Sequence, residues 1–256
     1  MAEDAREALF ALYAFDHEIA KVRHVVSQPM AGLIRLQWWR ETLDEIAQGE
    51  PPRTHYVARA LQGVATGFAL PLDRLQAAID ARERELEAES PPSLDALERH
   101  LEATSSGITL AALEILGASS AQVLEVGRRA GLAWGLADTV RSIAADAGRG
   151  LVRLPDSAMR RHGVSADALT HGVAGDGLAR LVREIEGRAR AHLRAARRQR
   201  GAVPTAALPA LWPALLAEDY LKRLARTGHD PLGRVRSRPV ALAPLKLLAC
   251  RALGVF

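Results

Sequence analysis

GLAWGLADTVRSIAADAGRGLVRLP, residues Gly131 to Pro155, decides the fold. It reads as a helix running into an Arg- and Gly-rich loop that stops at a proline. The small and apolar residues Gly131, Ala133, Gly135, Ala137, Val140 and Ala144 suit a helix buried among others, because they let neighbouring backbones come close. Asp138, Ser142 and Asp146 recur every four residues and so share one face. A polar stripe on an otherwise apolar helix predicts a lined cavity.

Outward from this helix the chain is helical throughout. Leu9, Leu12, Tyr13, Phe15, Ile19, Val22 and Val26 recur at three- and four-residue spacing, which predicts an amphipathic helix from Asp4 to Val26. Ser27 is placed to cap a second helix with Pro29 in its first turn, carrying Met30, Leu33, Ile34, Leu36, Trp38, Leu43 and Ile46 until Gly49-Glu50-Pro51-Pro52 breaks it. Further helices are predicted over Thr54–Phe68, Pro71–Glu89 with its charged end ARERELEAE, and Ser93–Gly117 with a kink in Thr104-Ser105-Ser106-Gly107. The central helix spans Ala121–Ala147. After Pro155 come a short turn at Arg160-Arg161-His162-Gly163, a helix over Asp176–Arg200, a broken stretch Pro204–Pro213, a helix Leu215–Thr227 and an apolar segment Val240–Leu253. No alternating β-pattern or internal repeat is present, so the expected class is all-α, one domain over residues 1–256.

Composition narrows the function. With 48% hydrophobic and 25% charged residues in 256, the chain can bury a full core, and one cysteine, Cys250, excludes an intrachain disulfide framework and a cysteine-based zinc site. A net charge of +4 and a pI near 9.7 favour an anionic partner such as a membrane surface or a diphosphate. Nucleic acid is not expected, because aromatics are 4% and no zinc-finger spacing, glycine-aromatic signature or basic arm occurs. No apolar run spans a bilayer, and the start MAEDAREALF is acidic where a signal would be basic. A cytoplasmic protein, peripheral at the inner face of a membrane, is the expectation.

The central stretch resembles the second motif region of the squalene/phytoene synthase family, Gly-x-Ala-x-Gln-Leu-x-Asn-x-x-Arg-Asp-x-x-Glu-Asp followed by Arg-Gly-Arg-x-Tyr-Leu-Pro. Gly131, Ala133, Leu136, Arg141, Asp146, Gly150, Leu154 and Pro155 match. ALYAFDHEIAKV and IRLQWWRETLDEI are similar to the first motif region and the helix after it. The resemblance extends from Arg6 to about Leu253 and implies an isoprenoid-synthase-like helical bundle around a central cavity; family members carry more sequence ahead of the first motif, so this chain is expected to start late. It also implies head-to-head joining of prenyl diphosphates, with Mg²⁺ held by two facing sets of carboxylates as the diphosphate leaves. This sequence departs from that pattern at the carboxylates themselves. Ala20, Lys21 and His24 stand where the first motif has three acids, and Ser142 and Ala145 replace two acids of the second.

Asp146 is the one matched acid. Two arrangements follow: a displaced metal site, with Asp16 one turn before Ala20 and Asp138 one turn before Ser142, or a metal-free anion site in which Lys21, Arg141, Arg149 and Arg153 bind phosphate or a lipid headgroup. The pocket candidates are therefore Asp16, Lys21, His24, Asp138, Arg141, Ser142, Asp146, Arg149 and Arg153, and Mg²⁺ is expected only if the protein is active. Structural roles compete with these: Asp16 as a solvated acid, Asp138 or Asp146 paired with Arg141 or Arg149, His24 at the surface, Trp38 and Trp39 divided between core and rim, the Arg-rich Gly187–Arg200 helix as a solvated face.

Ala14-Phe15-Asp16-His17-Glu18-Ile19-Ala20-Lys21-Val22 and Gly32-Leu33-Ile34-Arg35-Leu36-Gln37-Trp38-Trp39 are similar to an acid-poor, non-catalytic subgroup of that family that includes an assembly factor for respiratory complex I. That resemblance implies respiratory-complex assembly or isoprenoid and lipid binding at a membrane surface, with a prenyl diphosphate, an anionic lipid or respiratory-complex subunits as partners. An active Mg²⁺-dependent prenyl transferase is the alternative.

Overall fold

A computed structural model describes residues 3–26, 28–51, 53–87, 90–173 and 175–233. Eleven α-helices occur among them and no strand: α1 (Glu3–Val25), α2 (Pro29–Gln48), α3 (Tyr56–Gly67), α4 (Leu72–Arg84), α5 (Leu94–Leu101), α6 (Gly107–Ile115), α7 (Ala121–Ala147), α8 (Asp156–His162), α9 (Ala166–Thr170), α10 (Asp176–Arg198) and α11 (Trp212–Arg226). The all-α expectation holds. The apolar segment expected over Val240–Leu253 and the Ser27 cap lie outside the described residues.

Local chemistry sets most boundaries. Ser93 and Ser120 cap α5 and α7, their hydroxyls accepting from Ala96 N at 3.2 Å and Val123 N at 3.4 Å. α2 begins at Pro29 behind an extended Gln28 whose side chain makes no cap, and ends at Gly49 in the left-handed region, φ 73°. α3 starts after His55, whose ring accepts from Val57 N, two residues later than Thr54 suggested. α4 stops at Arg84 and continues as a 3₁₀ turn, Glu85–Glu87. The broken Pro204–Pro213 stretch contains a 3₁₀ turn, Thr205–Leu211, and α11 opens at Trp212 because Pro213 is accepted in a first turn, where its missing N–H costs nothing. The five-residue α9 carries too little periodicity to be read from sequence.

The expected kink in the α5–α6 run is a π-helical turn, Glu102–Ser106. It lies in a groove on α7 made by glycines. A Cβ on Gly131 would stand 2.4 Å from Ser106 Cα, and one on Gly135 would stand 2.7 Å from Ser105 Oγ. At Gly131 the two backbones can meet only because the side chain is absent, and at Gly135 its absence makes room for the Ser105 and Leu101 side chains.

α7 is central, packed against α10, α11, α6 and the π turn. It serves two apolar cores. α1 to α4, α6 and the first turns of α7, with the end of α10, the Thr205–Leu211 turn and the start of α11, enclose one, around Leu12, Phe15, Leu36, Leu61, Leu75 and Leu113; α5, the rest of α7, α8 and the remainder of α10 and α11 enclose the other, around Leu136, Val140, Leu181, Ile185 and Leu221. Trp39 is buried and meets Phe15 edge-on at 5.3 Å, while Trp38 lies at the rim under the Arg53 guanidinium, as their sequence suggested. No helix of the described residues is long and apolar enough to cross a membrane.

Candidate functional site

The polar stripe of α7 does line a cavity, of about 520 Å³, closed by α1, α4, the π turn with α6, and the start of α11. α1 and α7 supply most of its wall. Asp16 feels the charge of Asp138, and eight residues further along both helices His24 feels that of Asp146. Trp134, Ile108, Pro213 and Leu216 supply apolar wall. Eight of the nine sequence candidates border it: Asp16, Lys21, His24, Asp138, Arg141, Ser142, Asp146 and Arg149.

Arg153 does not. Its guanidinium donates to Glu85 Oε1 at 3.0 Å and does not reach the cavity wall, so it is no part of a cavity anion site. The other proposed anion binders are largely neutralised: Lys21 Nζ lies 2.5 Å from Glu18 Oε1, and Arg141 forks onto Asp138 Oδ1, its Nε at 2.8 Å. Arg149 donates to the Ala145 carbonyl at 2.9 Å, closing the end of α7. Ser142 turns its hydroxyl to the Thr139 carbonyl at 3.1 Å.

The acids divide in the same way. Asp16 sits 3.4 Å from Arg82 Nη2, so it is an ion-paired, half-buried acid and not a free ligand. Burial pushes its carboxyl above the usual range; Arg82 opposes this, and Asp138 and Glu85 add to it. Asp138 pairs with Arg141, as one of its structural roles anticipated. Asp146 pairs with nothing: it is 3% exposed, and its Oδ1 has no hydrogen-bond partner. The expected pairing of Asp146 with Arg141 or Arg149 is therefore not made.

A Mg²⁺ ion would need several carboxylates converging on it. Among the described residues no three His, Cys, Asp or Glu side chains are grouped to hold a metal, and both displaced acids, Asp16 and Asp138, already face arginines. The donor set does not fit the ion.

His24 is not a surface residue. It is half-buried on the cavity wall, its Nε2 accepts from Arg23 Nε at 2.9 Å, and its Nδ1 is buried without a partner. Burial and then Arg23 lower its basicity, partly countered by Asp146, so the ring is neutral. Tyr13, also on the wall, keeps a buried hydroxyl with no partner, and burial together with Asp16 pushes its phenol up.

The charge hub beside the cavity is Glu85, which sequence reasoning missed. Three guanidiniums and an imidazole converge on its carboxylate: Arg23 Nη1 at 2.5 Å, Arg82 Nη1 at 2.9 Å, Arg153 Nη2 at 3.0 Å and His100 Nε2 at 2.7 Å. Burial alone would raise its pKa, but Arg82, His100 and Arg23 outweigh it and hold the group at about 2. In ARERELEAE every charged position looks equally solvated; the one available signal was Leu86, an apolar residue that the 3₁₀ turn buries, drawing its neighbour inward.

The family model for squalene/phytoene synthase matches residues 1–243. The chain is 30% identical over 244 residues to "NADH dehydrogenase (ubiquinone) complex I, assembly factor 6" of Bos taurus, covering 95% of this chain and 73% of that one. It is 26% identical over 192 residues to presqualene diphosphate synthase of Rhodopseudomonas palustris, covering 75% of this chain and 68% of that one. In fold it superposes on a dehydrosqualene synthase solved with a ligand, with a TM-score of 0.84 at 17% identity, over 99% of this chain and 88% of that one.

Proposed function

This chain belongs to the squalene/phytoene synthase family, and we propose that it keeps the fold without the prenyl-transfer chemistry, serving respiratory-complex assembly through a cavity that holds an isoprenoid or other lipid at a membrane surface. One observation carries the reading. Where the family resemblance calls for carboxylates the cavity wall presents Ala20, Lys21, His24, Ser142 and Ala145, and the displaced acids Asp16 and Asp138 are taken by Arg82 and Arg141. An allylic diphosphate ionises only if its leaving group is neutralised by metal, and each missing acid removes both a ligand and its charge. The similarity to relatives named as complex I assembly factors supports the assembly role.

The purified protein, incubated with farnesyl or geranylgeranyl diphosphate and Mg²⁺, with and without NADPH, is expected to release no diphosphate. Release that requires Mg²⁺ and disappears in Asp146→Ala would refute the non-catalytic reading. Cells lacking the protein are expected to accumulate less assembled respiratory complex I on native gels, and unchanged assembly would remove that part of the proposal.

A further inference from the structure

α10 is two-faced. Leu178, Leu181, Val182, Ile185, Ala189 and Leu193 turn inward and are buried, and the opposite side is exposed. Along that outer side stand Arg180, Arg183, Arg194 and Arg198, all exposed. At about 100° per residue the four fall within about 60° of arc, and at about 1.5 Å per residue the row is about 27 Å long.

None of the four meets an acid, although acids flank the row. Glu184 is taken by Arg161 and His162, Glu186 by Arg190, Glu98 by Arg188, and Glu218 by Arg197 and Lys222. The acid in line with the row is Asp176, in the first turn of α10, where a helix N-terminus already favours a negative charge. Elsewhere among the described residues exposed arginines without an acid stand singly, as Arg35 does on α2, Arg59 on α3 and Arg84 on α4. Arginines three or four residues apart on a helix repel one another, so an extended anionic surface relieves what the fold leaves uncompensated.

The chemistry of the row narrows the partner. Between its two pairs of arginines, close to the same line, lie Gly187 and Ala191. Neither can stack on a base or read a groove edge, so the row recognises charge and not sequence. Guanidiniums hold phosphate oxygens through paired hydrogen bonds, and four such cations on an amphipathic helix suffice to hold an anionic bilayer. The apolar side of α10 is occupied by the protein's own core, so the contact is electrostatic, and α10 supplies no residue to the cavity wall, which stays untouched by it.

Resting on the reading that this protein works at a membrane surface, we propose that the outer face of α10 is what meets the membrane. Arg180, Arg183, Arg194 and Arg198 bind the phosphates of anionic lipids, and the helix lies on the surface without inserting.

The test is sedimentation of the full chain with vesicles of phosphatidylcholine, alone or mixed with phosphatidylglycerol. Binding is expected to the mixed vesicles only, and is expected to be lost in about 1 M NaCl, where the Debye length is about 3 Å. The triple variant Arg183→Gln, Arg194→Gln, Arg198→Gln is expected to keep the wild-type circular dichroism and to bind more weakly by on the order of a hundredfold, about fivefold for each arginine. The same three changed to Lys should keep most of the affinity. A matched triple, Arg35→Gln, Arg59→Gln, Arg84→Gln, removes the same charge elsewhere and should cost only a few-fold. Equal losses in the two Gln triples would overturn the assignment of this face while the membrane reading stands. Random-sequence duplex DNA bound more tightly than the mixed vesicles, and released by the α10 triple, would overturn it in favour of nucleic acid. If neither kind of vesicle is bound, the membrane-surface reading falls with it.

Discussion

Replacing Glu85 by Gln keeps the shape of the hub and removes its charge, leaving Arg23, Arg82, Arg153 and His100 converged on a neutral amide. The expected cost follows from proton linkage. The group's pKa falls from 4.5 to about 2 on folding, and at about 1.36 kcal/mol per unit this is about 3 kcal/mol. An independent route agrees, since breaking a buried ion pair from one side costs about 3–5 kcal/mol. With an m-value of about 3 kcal/mol/M, the urea midpoint of Glu85→Gln should fall by about 1 M at neutral pH, followed by circular dichroism. The sign of the pH dependence is fixed because the folded pKa is depressed. The stabilisation is complete above the unfolded value of 4.5 and fades as pH falls toward about 2, so the gap between wild type and variant should narrow by about 2 kcal/mol by about pH 3. A loss under about 1 kcal/mol at neutral pH, or a gap that stays constant down to about pH 3, would refute Glu85 as the charge that holds the cluster.

Three further outcomes test the packing. Gly131→Ala should destabilise by about 2–3 kcal/mol, because its Cβ meets Ser106 backbone that cannot swing away, whereas Gly63→Ala on α3, with nothing within 4 Å, should stabilise by about 0.5–1 kcal/mol; thermal melts of the two variants separate these. Phe15→Ala should cost about 3–5 kcal/mol in urea unfolding, since the ring is fully buried and edge-on to Trp39. Ser120→Ala, which removes the α7 cap, should cost about 1 kcal/mol, and Ser120→Gly no more than a few tenths.

The helices were legible because their signals are local. The Leu12–Phe15–Ile19–Val22 spacing on α1 and the small-residue run on α7 encode their buried faces directly, and the stripe Asp138–Ser142–Asp146 identified the cavity wall before any neighbour was known. What stayed hidden depends on partners distant in sequence. Glu85 is one acid among many in ARERELEAE, and only Arg23, His100 and Arg153, brought in from 62, 15 and 68 residues away, distinguish it. Arg153 looked like a cavity cation for the same reason: a loop sequence does not say which way its guanidinium turns. His24 read as solvated because no second ligand sat near it in sequence, yet it is half-buried on the cavity wall that α1 and α7 share.

The π turn at Glu102–Ser106 has a consequence for how the molecule comes apart. Before it, α5 gives Leu94, Leu97 and Leu101 to one core; after it, α6 gives Ile108, Leu110, Leu113 and Ile115 to the other. A single rod thus changes allegiance in mid-course, and the wider turn is the swivel that aims its second half. Deleting one residue there would restore ordinary α-helical register and rotate everything beyond by about 100°, at 3.6 residues per turn, turning α6's greasy side away from its hosts. In hydrogen exchange, such a deletion should unlock the α1–α4 half of the molecule while the first half of α10 and the last turns of α11, which pack in the other core, stay protected, which would make the seam between the two cores a boundary between separately opening units.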